Sequence, residues 1–130
     1  MTEAFFLTHV VDKANHCVYL TVVGPMDSAA FIDRQIEILK SLEAPWTYDR
    51  VIDLLDCDGH VAYEDILRLG EYWAGLRFFI KRDVRVAVIT KNPLITARLP
   101  LADLLFPRHE MRAFPTIQAG TAWLVERVQG

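Results

Sequence analysis

Arg50-Val51-Ile52-Asp53-Leu54-Leu55 places four large aliphatic residues in six positions without alternating polar and apolar ones. A strand with one wet face alternates, whereas a nearly continuous apolar run marks a strand covered on both faces. This stretch is therefore read as an inner strand of a sheet with helices on either side, and that reading decides the fold. Val84-Arg85-Val86-Ala87-Val88-Ile89-Thr90 is a second strand of the same buried type.

Working outward, Ser28 to Glu43 has helical period. Asp33, Arg34, Glu37, Lys40 and Ser41 fall on one arc, and Phe31, Ile32, Ile36, Ile38, Leu39 and Leu42 cover the opposite one. Asp27 is placed to cap this helix and Pro45 to end it. Before it, Phe5 to Val11 and Cys17 to Val23 are strand-like runs joined by the short polar Asp12-Lys13-Ala14-Asn15, which suits a hairpin. After the inner strand, Asp56-Cys57-Asp58-Gly59-His60 reads as a loop, and Glu64 to about Phe79 as a helix burying Ile66, Leu67, Leu69, Trp73, Leu76 and Phe79. Gly70 and Gly75 within it suggest close packing on the sheet. Asn92-Pro93 opens a further helix through Phe106, with Asn as cap and Pro at the first helical position; Pro100 is expected to bend or split it. Glu110 to Phe114 is a last short strand. Pro115-Thr116 opens a final helix with Ile117, Thr121, Leu124 and Val128 on one face and Trp123 beside them.

The order β-β-α-β-α-β-α-β-α predicts an α/β fold: a mixed, mostly parallel five-stranded sheet opened by an antiparallel hairpin, with about four helices. No linker, repeat or low-complexity segment divides residues 1–130, so one domain is expected. Composition narrows the class. With 52% hydrophobic residues the chain is no disordered segment. Its net charge of −3, from 14 basic and 17 acidic residues, gives no bulk field for nucleic acid. No run approaches the ~18–20 apolar residues of a membrane span. Met1-Thr2-Glu3-Ala4-Phe5-Phe6 lacks the positive flank of a signal peptide, and Cys17 and Cys57 form no CxxC. A cytoplasmic protein with reduced thiols is expected.

The inner strand Val51-Ile52-Asp53-Leu54, the helix start Glu64-Asp65-Ile66, the strand Arg85-Val86-Ala87-Val88-Ile89 and the closing Phe114…Ala122-Trp123-Leu124 together resemble the STAS-like superfamily, more narrowly its SpoIIAA-like branch of small stand-alone proteins. The resemblance covers nearly the whole chain. It implies a non-enzymatic regulatory or protein-interaction domain like the anti-sigma-factor antagonists. The superfamily's signalling members carry a phosphorylatable Ser or Thr at the start of the helix after the Ile-Asp-Leu strand. Here that stretch reads His60-Val61-Ala62-Tyr63-Glu64-Asp65, with no Ser or Thr between Leu54 and Thr90. A phosphate switch of that kind has no hydroxyl there except Tyr63.

Other chemistries compete with plainer readings of the same residues. The strand running into Asp56-Cys57-Asp58-Gly59 resembles the way haloacid-dehalogenase-type phosphatases present two aspartates to Mg²⁺, and Val86 to Lys91 passes for their second motif. The next strand, Glu110-Met111-Arg112-Ala113-Phe114-Pro115, offers no acidic pair to complete the site, so a solvated turn is preferred. A calcium loop with Gly59 sixth would put Leu54, which has no ligand oxygen, first. A metal site of Asp56, Asp58 and His60 lacks any spaced His or Cys pair; no metal or cofactor is assigned. His9, His16, His60 and His109 show no ligand spacing. Cys57 flanked by Asp56 and Asp58 is a poor thiolate. The six glycines form no phosphate-binding loop.

Two apolar excesses point to interaction. The 93–106 segment carries more large apolar residues than one core face hides, and Trp73, Phe78, Phe79 and Ile80 close the preceding helix similarly. Arg77, Lys81, Arg82 and Arg85 form a basic cluster nearby, for which a solvated face is preferred. The expected partner or ligand surface is Asp56, Asp58, His60 and Tyr63, extended to Leu94, Leu99, Leu101 and Phe106. It would serve a protein partner or a second copy as a homodimer. The alternative is a small lipid or anionic metabolite held between the sheet and the 93–106 helix, and a minimal phosphatase using Asp56 and Asp58 ranks below both.

Overall fold

The computed structural model describes residues 4–126, so Val128 lies outside the described residues. Its elements are β1 (Phe6–Asp12), β2 (Cys17–Pro25), α1 (Ser28–Ser41), a 3₁₀ turn (Pro45–Thr47), β3 (Asp49–Asp58), α2 (Tyr63–Ala74), β4 (Val84–Ile89), α3 (Pro93–Asp103), β5 (His109–Phe114) and α4 (Ile117–Glu126). The described strands form one five-stranded sheet in the order β1-β2-β3-β4-β5. Only β1 and β2 are antiparallel; β2-β3, β3-β4 and β4-β5 are parallel.

The strand order explains the layers. Three successive crossovers that step the same way along a sheet, each with the same hand, deliver their helices to one face. On that face Val18, Leu20, Val22, Ile52, Leu54, Val84, Val86 and Val88 of the sheet meet Phe31, Ile32, Ile38 and Leu39 of α1 and Leu69 and Trp73 of α2, with α3 contributing Ile95 and Leu99. The opposite face is left to α4, whose Trp123 and Leu124 pack on Cys17, Val51, Ala87 and Ile89. Gly120 permits that approach: a Cβ there would stand 2.6 Å from Ile89 Cδ1 and 3.1 Å from Ala87 Cβ. Arg85 clamps the helix by donating to the Trp123 carbonyl at 2.6 Å, with its guanidinium 4.7 Å from the indole centroid.

Several expectations are corrected. The Asp56-Cys57-Asp58 segment is not loop but the end of β3, paired with Val23, Gly24 and Pro25 of β2. The register slips between Thr21 and Val23, so β3 holds an extra residue there. That bulge keeps Leu54 and Cys57 against the α1–α3 core while Asp56 and Asp58 are exposed. α2 stops at Ala74 with Gly75 as its C-cap, so Phe78 and Phe79 are exposed and Ile80 is buried. Phe79 instead stacks on Trp46 at 4.7 Å. Gly70 admits the chain at Leu105, whose carbonyl oxygen would be 3.1 Å from a Cβ, rather than the sheet. α3 runs through Pro100 unbroken. The carbonyl that loses its partner belongs to Thr96, which is exposed and open to water. Asp27 and Asn92 cap α1 and α3 as the sequence predicts, accepting from Ala30 N–H and Leu94 N–H at 3.1 and 3.0 Å.

Candidate functional site

A cavity of about 100 Å³ lies between the sheet and the three helices of the fuller face. Its walls are Phe31 and Ile32 of α1, Ile52 and Leu54 of β3, Ile66 and Leu69 of α2, Val86 and Val88 of β4, Ile95, Leu99 and Ala102 of α3, and Phe106 and Met111; His60, Val61 and Arg98 also border it. Almost all of this is hydrocarbon. The buried polar exceptions are Arg50 of β3 and Gln35 of α1.

Arg50 shares the core-facing parity of Ile52 and Leu54 and is only 2% exposed. One Nη donates to Gln35 Oε1 and the other to His109 Nε2, each at 2.7 Å. The guanidinium also lies 5.8 Å from the Trp73 ring centroid. Burial pulls the Arg50 pKa down to about 10, against a favourable field from Asp49. Its Nε–H is buried and finds no acceptor.

The bonds fix the state of His109. A guanidinium only donates, so Nε2 must accept and the ring proton sits on Nδ1, which lies 3.0 Å from Asp103 Oδ1 at the end of α3. Burial holds the His109 pKa down to about 4, with the Arg50 charge adding to the effect and Asp103 opposing it. Asp103 and His109 thus have the arrangement of an oriented base, but the nitrogen that would take a proton is occupied by Arg50 and closed to solvent. The network pins α3 to β5 and β5 to β3.

At the other end of the cavity, Gly59 turns the chain at φ +91°, a conformation natural to glycine, and hands it to α2. The N-cap of α2 is Ala62, which has no side-chain oxygen. Ser28 in the first turn of α1 takes over: its Oγ accepts from Ala62 N–H at 2.7 Å and donates to Asp65 Oδ2 at 2.6 Å. That hydroxyl, and then Arg68, hold the Asp65 carboxyl below the usual range. Arg68 also reaches Asp33 at 2.8 Å, tying α2 to α1. The serine hydroxyl at this helix start therefore comes from another helix, since no Ser or Thr lies between Leu54 and Thr90.

The residues singled out in the sequence are only partly brought together. His60, Leu99 and Phe106 all border this cavity. Tyr63, Leu94 and Leu101 are exposed, as are Asp56 and Asp58 at the end of β3. Phe106 is corrected from surface to core: it is 3% exposed and stacks on His109 at 4.6 Å. Among the described residues no three His, Cys, Asp or Glu side chains come together as a metal ion requires, so Asp56, Asp58 and His60 do not form such a group. The Cys57 thiol is pushed up chiefly by burial, and second by Asp58. The basic cluster is not a continuous patch. Arg82 reaches the Thr47 carbonyl and Asp49, Arg85 lies against Trp123, and Arg77 folds back on the Ala74 carbonyl and the Phe78 ring. Gln35, Arg50, Asp103 and His109 escaped the sequence reading. The available signal was Arg50, a charge at a core-facing position of an otherwise apolar strand.

No protein-family model matches the chain, and no curated protein matches it. Solved structures do. An uncharacterised protein of the DUF3478 family with a SpoIIAA-like fold, from Shewanella loihica PV-4, is 19% identical with a TM-score of 0.65, over 95% of this chain and 98% of that one. An anti-sigma factor antagonist from Mycobacterium paratuberculosis is 17% identical with a TM-score of 0.55, over 97% of this chain and 100% of that one. At these identities the likeness is one of fold. Sheet order, the opening hairpin, the three-helix layer on one face and these two structures agree: the chain has a SpoIIAA-like fold.

Proposed function

We propose that the chain is a non-catalytic, cytoplasmic regulatory domain that works by holding a protein partner, a second copy of itself included. The carrying observation is α3. Its inner side, Ile95, Leu99 and Ala102, closes the cavity, while Leu101 and the following Leu104 are 68% and 81% exposed and Leu94 is exposed two turns earlier. A helix apolar on both sides is normally covered on both. The structural neighbour named an anti-sigma factor antagonist supports a role through protein partners. The chemistry of the polar groups favours binding over catalysis: His109 is tied to Arg50, and the Cys57 thiol is disfavoured as a thiolate.

Light scattering coupled to size exclusion, across a concentration range, and affinity capture should both be run on the wild type and on Leu101→Asp/Leu104→Asp. Association present in the wild type should vanish in the double variant, with the melting temperature changed little because both side chains already face water. Identical mass and identical capture for the two proteins would end this reading.

A second reading, a small ligand held between sheet and α3, is supported by the apolar cavity that α3 closes.

A further inference from the structure

The chemistry of the cavity's occupant follows from its wall, given the second reading just stated, that it is a ligand site. Native cores hold few voids larger than a water molecule, because every atom facing a gap loses its packing partners. A space of about 100 Å³ between the sheet and α3 is therefore a cost to the empty chain that an occupant recovers. Ile52, Leu54, Leu69, Val86, Val88 and Phe106 present only hydrocarbon to it. Arg50 adds no donor: its two Nη atoms are engaged with Gln35 and His109, and its Nε has no accessible surface. Among the described residues no Asp or Glu borders the space, and His60 and Arg98 are exposed where it meets solvent. A stable buried water needs two to four polar partners, whereas apolar cavities stay dry and take apolar molecules. A hydroxyl or charge carried inside would give up its water and find no partner.

We propose that the cavity binds the uncharged alkyl end of a small molecule, with hydrocarbon alone inside and any polar group left at the border beside His60 and Arg98. Size limits the inserted part. An engineered cavity of about 150 Å³ takes benzene, so the ~100 Å³ here suits on the order of four carbon atoms.

The test is titration of the whole chain with 1-butanol and with 1,4-butanediol, which has the same carbon count and a hydroxyl at each end, followed by methyl NMR shifts. Butanol should bind at a single saturable site and move the methyl signals of Ile52, Leu69, Val88 and Leu99. The diol should bind about tenfold more weakly or worse, because either orientation buries a hydroxyl without a partner. Ala102→Leu, which fills the space from α3, should abolish binding of both; if that variant does not fold, the methyl shifts in the wild type still locate the ligand. Equal binding of alcohol and diol at those methyls would overturn the hydrocarbon-only assignment and leave a ligand cavity standing. Binding of neither, shifts confined to other residues, or binding unchanged in a folded Ala102→Leu would overturn the assignment and the ligand reading together.

Discussion

His109 shows how much one residue's bonding can settle. Its Nε2 accepts from a cation and its Nδ1 faces a carboxylate, so the neutral ring fits and a protonated ring does not. The consequence is a pH dependence with a definite sign. The folded pKa is about 4 against an ordinary 6.5, so below pH 6.5 the unfolded chain takes up a proton that the folded chain refuses. The contribution is full above about pH 6.5 and is lost as pH falls from there to about 4, amounting to about 3 kcal/mol across the window at 1.36 kcal/mol per unit. His109→Gln can offer an oxygen to Arg50 and an amide hydrogen to Asp103 without titrating. Thermal melts between pH 7 and 5 should therefore fall less steeply for the variant than for the wild type. Parallel curves would show that His109 does not carry the dependence.

At the scale of elements, α2 depends on its neighbour for its beginning. A helix start leaves N–H groups without intrahelical partners, and Ala62 has no side-chain oxygen to offer them. Ser28 answers one of those donors from α1 and orients Asp65, which in turn engages Arg68. Ser28→Ala removes the acceptor of a half-buried N–H, and chemical denaturation should register a loss of about 1–2 kcal/mol. Amide exchange at the start of α2 should quicken more than in α4, which has no contact with Ser28; uniform change in the two helices would argue that the cap acts on global stability alone. The bulge in β3 is an effect of the same scale. It shifts the strand's parity by one residue, turning Asp56 and Asp58 outward and Cys57 inward.

For the whole molecule, the decisive fact is the imbalance of the layers. Three helices crowd one face, and α4 on the other packs on β3, β4 and β5 and reaches Cys17 of β2, leaving Phe6 and Val10 of β1 exposed. Phe6 pairs with Val23 and Val10 with Tyr19 on that uncovered end. If this end carries no core, Phe6→Ser with Val10→Thr should change stability by no more than about 1 kcal/mol in urea unfolding. A loss comparable to a core deletion, about 3 kcal/mol or more, would mean the face is packed in solution, for instance against another copy. The α1–α3 face behaves in the opposite way: its cavity lies among side chains from six elements, and none of those elements alone indicates it.

The elements and their order follow from local sequence alone. Buried-type runs such as Arg50–Leu55 and Val84–Thr90, the caps Asp27 and Asn92, and the short polar hairpin turn act through neighbours a few residues away, and local physics is written locally. The sequence also marked α3 as too apolar for one core face. The strand end at Asp56–Asp58 escaped it because β2 supplies the pairing, and the helix through Pro100 because the orphaned Thr96 carbonyl faces water. Only the tertiary structure joined Arg50 to Gln35 and His109, partners 15 and 59 residues away, and brought Ser28 to a helix 34 residues on. A side-chain hydrogen bond depends on positions in space, and the chain's pattern carries no signal for a donor and acceptor that meet only after the sheet has closed and the helices have docked.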